Sequence, residues 1–267
     1  MNWNGSVVLI TGASRGIGRA IARAASARGA AVGLVARSAD ELDSLAAQLD
    51  GQSKAVPADI SDPDSVEHAV NEIEAELGPI DIIVNNAGAG AYGAFVDESP
   101  ETFERLLATN YLGGVHVTRA VLPGMISRRR GHIVTVGSVA GRIGAPFEAA
   151  YAATKFAQTG LSEALAVELS GVGVGVTLVN PGLVETDFFA ARGHEYHRSF
   201  PRKISAERVA KATIKAVERE RFEVFVPGWL RLTYAFRTLV PALFLPGAKR
   251  TLAGDIAEFS EAHPPGE

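Results

Sequence analysis

The sequence predicts an α/β fold, doubly wound, with a seven-stranded and mostly parallel sheet that carries helices on both faces. Three observations predict it. Short β-branched apolar runs alternate with helical patterns four times by residue 84, and such alternation implies parallel strands joined by right-handed crossovers. Turns rich in glycine and asparagine fall just past the ends of these runs, where ligands sit in open parallel sheets. Composition supplies the core: 267 residues, 47% hydrophobic and 21% charged, are ample for one large domain.

Val7 to Ile10 forms the first apolar run and leads directly into Thr11-Gly12-Ala13-Ser14-Arg15-Gly16-Ile17-Gly18, followed by a helical pattern through Ala27. Glycines there let the backbone turn tightly and approach a pyrophosphate, whose charge meets the helix N-terminus. The spacing departs from GxGxxG, and a glycine turn alone also serves ordinary connections. The second strand, Ala31 to Ala36, ends in Arg37 with no acid beside it. An acid at this place binds a ribose 2′-hydroxyl, whereas arginine accommodates a 2′-phosphate, so Arg37 with Arg15 predicts NADP over NAD. The other reading of Arg37 is a surface residue opening the helix Ala39 to Leu49.

A third strand, Lys54 to Ala58, leads to Asp59-Ile60, and Ser61 or Asp62 caps a helix from Pro63 to Leu77. The fourth, Ile80 to Val84, ends in Asn85-Asn86-Ala87-Gly88. One helix is expected from about Pro100 to Ser127, with Asn110 inside it and Gly113-Gly114 weakening it enough to allow a distortion that frees a carbonyl. The fifth strand, His132 to Val136, ends in Gly137-Ser138. Thirteen residues on comes Tyr151, four residues before Lys155. On a helix these two share a face, and a nearby cation favours the phenolate, lowering a pKa that is ordinarily about 10. Val174 to Val179 and Phe222 to Val226 complete the strands, with a helix from Ser205 to Glu218 between them. The segment from Gly182 to Lys203, with Phe188-Phe189, has the length of a lid over a site.

Other chemistries find little support. A net charge of −4 leaves no footprint for nucleic acid, and the one dense basic run, Arg128 to Arg130, suits a solvated helix end. The absence of cysteine excludes disulfides, thiol catalysis and thiolate metal sites, and it fits a reducing compartment. His194 and His197 lack a carboxylate pair at metal-ligand spacing, so no metal is expected. The N-terminal residues have no basic n-region, and a cytoplasmic protein is expected.

Taken together, Thr11-Gly12-x-x-x-Gly16-x-Gly18, Asp59, Asn85-Asn86-Ala87-Gly88, Asn110, Ser138, Tyr151-x-x-x-Lys155 and Asn180-Pro181-Gly182-x-Val184-x-Thr186 resemble the short-chain dehydrogenase/reductases in order and interval. The resemblance covers about residues 5 to 227 and implies a Rossmann-type domain over 1–227. By it, Tyr151 exchanges the proton at the substrate oxygen and Ser138 hydrogen-bonds that oxygen. Lys155 binds the nicotinamide ribose and lowers the tyrosine pKa, while the main-chain carbonyl of Asn110 holds a water of a proton relay. It places the dinucleotide against Gly12, Ser14, Arg15, Gly16, Ile17, Gly18, Arg37, Asp59, Ile60, Asn86, Ala87, Gly88, Tyr151, Lys155, Pro181, Gly182, Val184 and Thr186. Asp59 then meets the adenine, Asn86 the adenine-side ribose region, and the segment from Pro181 the carboxamide.

The implied activity is NADP-dependent interconversion of a ketone and a secondary alcohol by a homodimer or homotetramer. A 3-oxoacyl thioester is the alternative substrate, and a non-catalytic NADP sensor the alternative outside enzymes. Residues 228–267 form an apolar extension broken by Arg231, Arg237, Pro241 and Pro246, too short to span a bilayer. It is expected to cover the substrate pocket, to lie on a membrane surface as a peripheral contact, or to pack on a second subunit; the first two favour a bulky lipophilic substrate. The tail from Pro264 is expected to be disordered.

Overall fold

The computed structural model describes residues 1–192 and 201–263. Seven strands, β1 (Val7–Thr11), β2 (Ala31–Ala36), β3 (Ser53–Pro57), β4 (Ile82–Asn85), β5 (Gly131–Val136), β6 (Val174–Pro181) and β7 (Glu223–Val226), make one sheet in the order β3-β2-β1-β4-β5-β6-β7. Every neighbouring pair is parallel, so the sheet is parallel throughout rather than mostly. The strands are apolar along nearly their whole length because helices cover both faces.

On one face α1 (Gly16–Ser26), α2 (Ala39–Ala46) and α8 (Ala206–Glu218) bury Ile21, Leu42, Leu45, Val209 and Ile214 together with Trp3. On the other, α3 (Pro63–Leu77) and α5 (Gly113–Ser127) bury Val66, Ile73, Val117 and Met125, and α6 (Ala149–Glu168) adds Leu165 at the edge. Strand order reverses between β1 and β4, which opens a crevice beyond their carboxyl ends.

Asp62, not Ser61, caps α3, its carboxylate accepting the Asp64 N–H at 3.1 Å. The single helix expected from Pro100 to Ser127 is three pieces: α4 (Pro100–Leu106), a π-helical turn (Leu107–Leu112) and α5. Arg128, Arg129 and Arg130 are ties rather than a merely solvated end: they donate to Ile80 O, Gly171 O and the Asp81 carboxylate. Within the segment expected to be a lid, the described residues include a short helix, α7 (Phe188–Ala191), and Val184, which bridges to Ile204 just beyond it. After β7 come α9 (Leu230–Leu239), α10 (Pro241–Thr251) and α11 (Ala253–Ala262). Among the described residues no helix is long and apolar enough to cross a membrane. His194, His197 and the Pro264 tail lie outside the described residues.

Candidate active site

The glycine turn sits where β1 meets α1, and three glycines in it answer to sterics. Gly12 and Gly16 have positive φ, 63° and 55°. A Cβ at Gly18 would lie 2.3 Å from Gly12 O, and one at Gly12 would lie 2.8 Å from the Ala87 α-carbon. No side chain caps the first turn of α1, which leaves its N–H groups for an anion. Ser14 is buried, its carbonyl accepting from the Arg19 guanidinium, while Ile17 is half-buried.

Asn86 holds this turn to β4. Its amide donates to Thr11 O at 2.9 Å and Gly12 O at 3.2 Å, and the Asn86 and Ala87 N–H groups both donate to Thr11 Oγ1. Asn86, expected beside the ribose, thus clamps the turn through its NH2 group. From the opposite side Thr186 approaches Gly16, its methyl 3.1 Å from where a Cβ would be. Pro181, at the end of β6, and Gly182, whose N–H donates to Val226 O at 2.9 Å, lead the chain there. Val184 anchors the same segment by its bridge to Ile204.

At the rim Arg15 and Arg37 are exposed. Asp59 accepts from the Ser61 hydroxyl at 2.7 Å and its N–H at 2.9 Å, and these bonds, more than nearby Arg37, hold its carboxyl below the usual range. Ile60 packs beneath, against Gly113.

Tyr151 and Lys155 face the crevice from α6, which approaches the turn Val139–Gly141 after β5 closely because Gly141 leaves no side chain over Lys155 O. Ser138 caps this short turn, accepting the Ala140 N–H at 3.1 Å, and lies near enough to the Tyr151 hydroxyl to favour its charged form. The expected fall of the Tyr151 pKa under the Lys155 ammonium is not what the geometry gives. Burial raises the phenol well above its ordinary value, and the neighbouring Ser138 hydroxyl works the other way. Weaker opposing influences come from Glu148, which raises it, and Arg192, which lowers it. Lys155 Nζ lies 5.6 Å from the ring centroid and donates to Val136 O at 3.0 Å and Gln158 Oε1 at 2.9 Å. Burial pushes the ammonium down to about 7.

The π-helical turn presents Asn110 to the same place. Its side chain exchanges hydrogen bonds with the Ala89 backbone, Oδ1 accepting at 2.8 Å and Nδ2 donating at 2.9 Å, and this fixes the loop after Gly88. Its freed carbonyl does not stand open. Gln158 Nε2 donates to it at 2.6 Å, so one carboxamide links the Lys155 ammonium to Asn110 O. Only this orientation of the amide is workable, since its reverse would set NH2 against NH3⁺ and oxygen against oxygen. Gln158 was not legible beforehand, being one glutamine on an ordinary helical pattern.

Aromatic rings roof the site. Phe188 lies 5.4 Å from Tyr151, and Tyr92, Phe147 and Phe259 continue the wall at centroid separations of 6.0 and 6.2 Å. Arg192 is buried below it, paired with Glu148 at 2.5 Å and stacked on Phe189 at 4.6 Å and Tyr92 at 5.0 Å. Among the described residues no cluster of His, Asp or Glu suits a metal.

Comparison with known proteins agrees with this geometry. Residues 6–197 match the family model described as short chain dehydrogenase. Dehydrogenase/reductase SDR family member 7B of Bos taurus is 35% identical over 90% of the chain and 79% of its own length. The 3-oxoacyl-[acyl-carrier-protein] reductase FabG of Escherichia coli is 36% identical over 79% of the chain and 87% of its own length. A short-chain dehydrogenase of Sphingobium yanoikuyae in complex with NADPH superposes with a TM-score of 0.77 at 32% identity, covering 94% of this chain and 95% of that one. One from Burkholderia phymatum in complex with NAD gives 0.84 at 26% identity over 91% and 96%. A glycine turn at the strand-order reversal, a Ser138–Tyr151 hydroxyl pair and these relatives together place the chain in the short-chain dehydrogenase/reductase family of oxidoreductases.

Proposed function

We propose that this chain interconverts a ketone and a secondary alcohol with NADP, on a bulky lipophilic substrate. The observation that carries it is the buried Tyr151, its phenol within electrostatic reach of Ser138, beneath an aromatic roof and at the strand ends shared with the glycine turn. The residues fit a dinucleotide: the turn has no room for Cβ atoms at Gly12 and Gly18, and the α1 N-terminus is uncapped. When bound, the nicotinamide supplies or accepts the hydride.

The rest falls to this chain's side chains. A phenol raised by burial keeps its proton at neutral pH, so Tyr151 is an acid ready to protonate the developing alkoxide, and Ser138 donates to the same oxygen. Lys155, with a donor beyond the two used on Val136 and Gln158, holds the cofactor ribose. Exposed Arg15 and Arg37 favour a 2′-phosphate. The division of labour proposed is a catalytic unit over 1–227 and a cover over 228–267, of which α11 reaches the roof through Phe259 and a His263–Asp97 contact at 3.0 Å. Exposed Leu107, Leu112, Phe156 and Val167 on the helices bearing Asn110 and Tyr151 support a homodimer through that face. The absence of cysteine suits the cytoplasm.

A second reading, reduction of a 3-oxoacyl thioester, is favoured by a cavity of about 290 Å³ beyond β6 where Arg202 and Arg208 line an otherwise apolar wall. NADPH oxidation over steroid-sized, small aliphatic and 3-oxoacyl thioester ketones separates the two. Tyr151→Phe should lower turnover by about 10²-fold or more while dinucleotide binding persists, and near-normal turnover in that variant defeats the assignment. Arg37→Asp should move preference toward NAD; equal efficiency with both dinucleotides in the parent protein would remove the NADP assignment.

A further inference from the structure

Helix α9 turns its apolar face outward. Its inner side meets the body through buried Leu230 and through Tyr234, whose ring stacks on Phe225 at 6.3 Å beneath the Arg142 guanidinium. The outer side carries Leu232, Phe236 and Leu239, spaced four and three residues apart and so forming one stripe. Leu239 is 79% exposed and Leu232 63%. Beyond it α10 exposes Leu243 and Leu245 and buries no residue. Surface helices ordinarily show the reverse, and contiguous exposed apolar surface marks a docking face.

Charge supplies a second observation. From Gly228 to Gly254 the chain carries Arg231, Arg237, Lys249 and Arg250 and no acid, although the whole chain is at −4. Arg237 stacks on Phe156 at 5.8 Å. Arg231, Lys249 and Arg250 are exposed and join no ion pair among the described residues.

We propose that α9 and α10 dock on an anionic phospholipid bilayer, with the leucine stripe at the acyl boundary and Arg231, Lys249 and Arg250 among the headgroups. Neither helix crosses it. A two-fold contact of this face with a second copy would bring together two segments that each carry cations and no acid. Leu230, buried at the base of α9, also lines the cavity beyond β6, so the docking face adjoins that cavity.

The test uses the purified full chain with vesicles of phosphatidylcholine alone or mixed with phosphatidylglycerol, read by co-sedimentation and tryptophan emission. Of the two tryptophans Trp3 is buried, so a blue shift reports Trp229 at the start of α9. Binding is expected to the mixed vesicles only, weakening as salt rises. Leu239→Asp combined with Leu243→Asp should abolish it. Arg231→Gln combined with Lys249→Gln should weaken it about 25-fold, each cation near an anionic surface contributing about fivefold. No binding to mixed vesicles overturns the proposal, as does binding indifferent to both double variants. A dimer in solution that Leu239→Asp converts to monomer, without lipid binding, gives the face to a second copy instead. Ketone reduction in lipid-free buffer is scored separately: its absence with vesicle binding intact removes the oxidoreductase reading and leaves the docking face standing.

Discussion

At the scale of single residues, Gln158 is expected to set the pH range over which Lys155 stays charged. Lys155 is buried and already pushed down to about 7, and Gln158 Oε1 is one of the two acceptors that hold its charge. A hydrogen bond to a buried charged group is worth about 1.5–3 kcal/mol, which is about one to two pH units on that ammonium. Gln158→Leu should therefore lower the lysine pKa further, and Gln158→Glu, which sets an anion at 2.9 Å, should raise it. If the charged lysine is the active form, the alkaline limb of kcat/KM moves to lower pH in the first variant and to higher pH in the second. Alkaline limbs that coincide in all three proteins would show that Gln158 only fills space. Such a role is invisible in sequence, because the amide joins Lys155 three residues away to an Asn110 carbonyl 48 residues away.

Elements differ in how far their sequence announces them, and the difference follows from how local the cause is. The glycine turn is legible because its constraint is steric and short-ranged. A Cβ at Gly18 has nowhere to go, with Gly12 O at 2.3 Å and the Asn86 amide at 2.6 Å, and a backbone oxygen cannot swing aside as a side chain can. Gly18→Ala is expected to cost about 1–3 kcal/mol through overpacking and to weaken dinucleotide binding together with stability. Denaturant midpoints and fluorescence titration with NADPH would check it, and an unchanged protein would mean that the turn has slack. The π-helical turn was half legible: Asn110 before Gly113-Gly114 announced a weak point, but only Gln158 and Ala89 decide what the freed groups bond. In α9 and α10 the apolar content was plain, yet Pro241 and Pro246 break the periodicity, so which side faces out emerges only from the packing of Leu230 and Tyr234.

Over the whole molecule the two ends of the sheet do different work. All the candidate chemistry gathers at the carboxyl ends of the strands, whereas the amino end is closed by a buried histidine that the chemistry does not use. His132 on β5 is 2% exposed, and its Nε2 lies 2.8 Å from Thr177 Oγ1. Because the Thr177 hydroxyl gives its one proton to Arg221 O, it must accept from His132, which fixes the neutral tautomer with hydrogen on Nε2. Nδ1 faces Gly175, where a Cβ would lie only 2.5 Å away, so a second proton there would find no acceptor on that strand. Burial pushes the His132 pKa down to about 4, with the N-terminal ammonium acting in the same direction. The unfolded chain, titrating near 6.5, binds the proton more readily than the folded one throughout the interval between these values. The stabilisation is therefore fully present above about pH 6.5 and is lost as pH falls toward 4, in all about 3 kcal/mol. His132→Gln retains an N–H donor for Thr177 and cannot titrate, so urea midpoints of the variant should fall less steeply than those of the parent between pH 6.5 and 4. Carboxylates titrating in the same interval affect both proteins alike, and the difference between the two curves isolates the histidine. Parallel curves would place the acid sensitivity of the fold elsewhere.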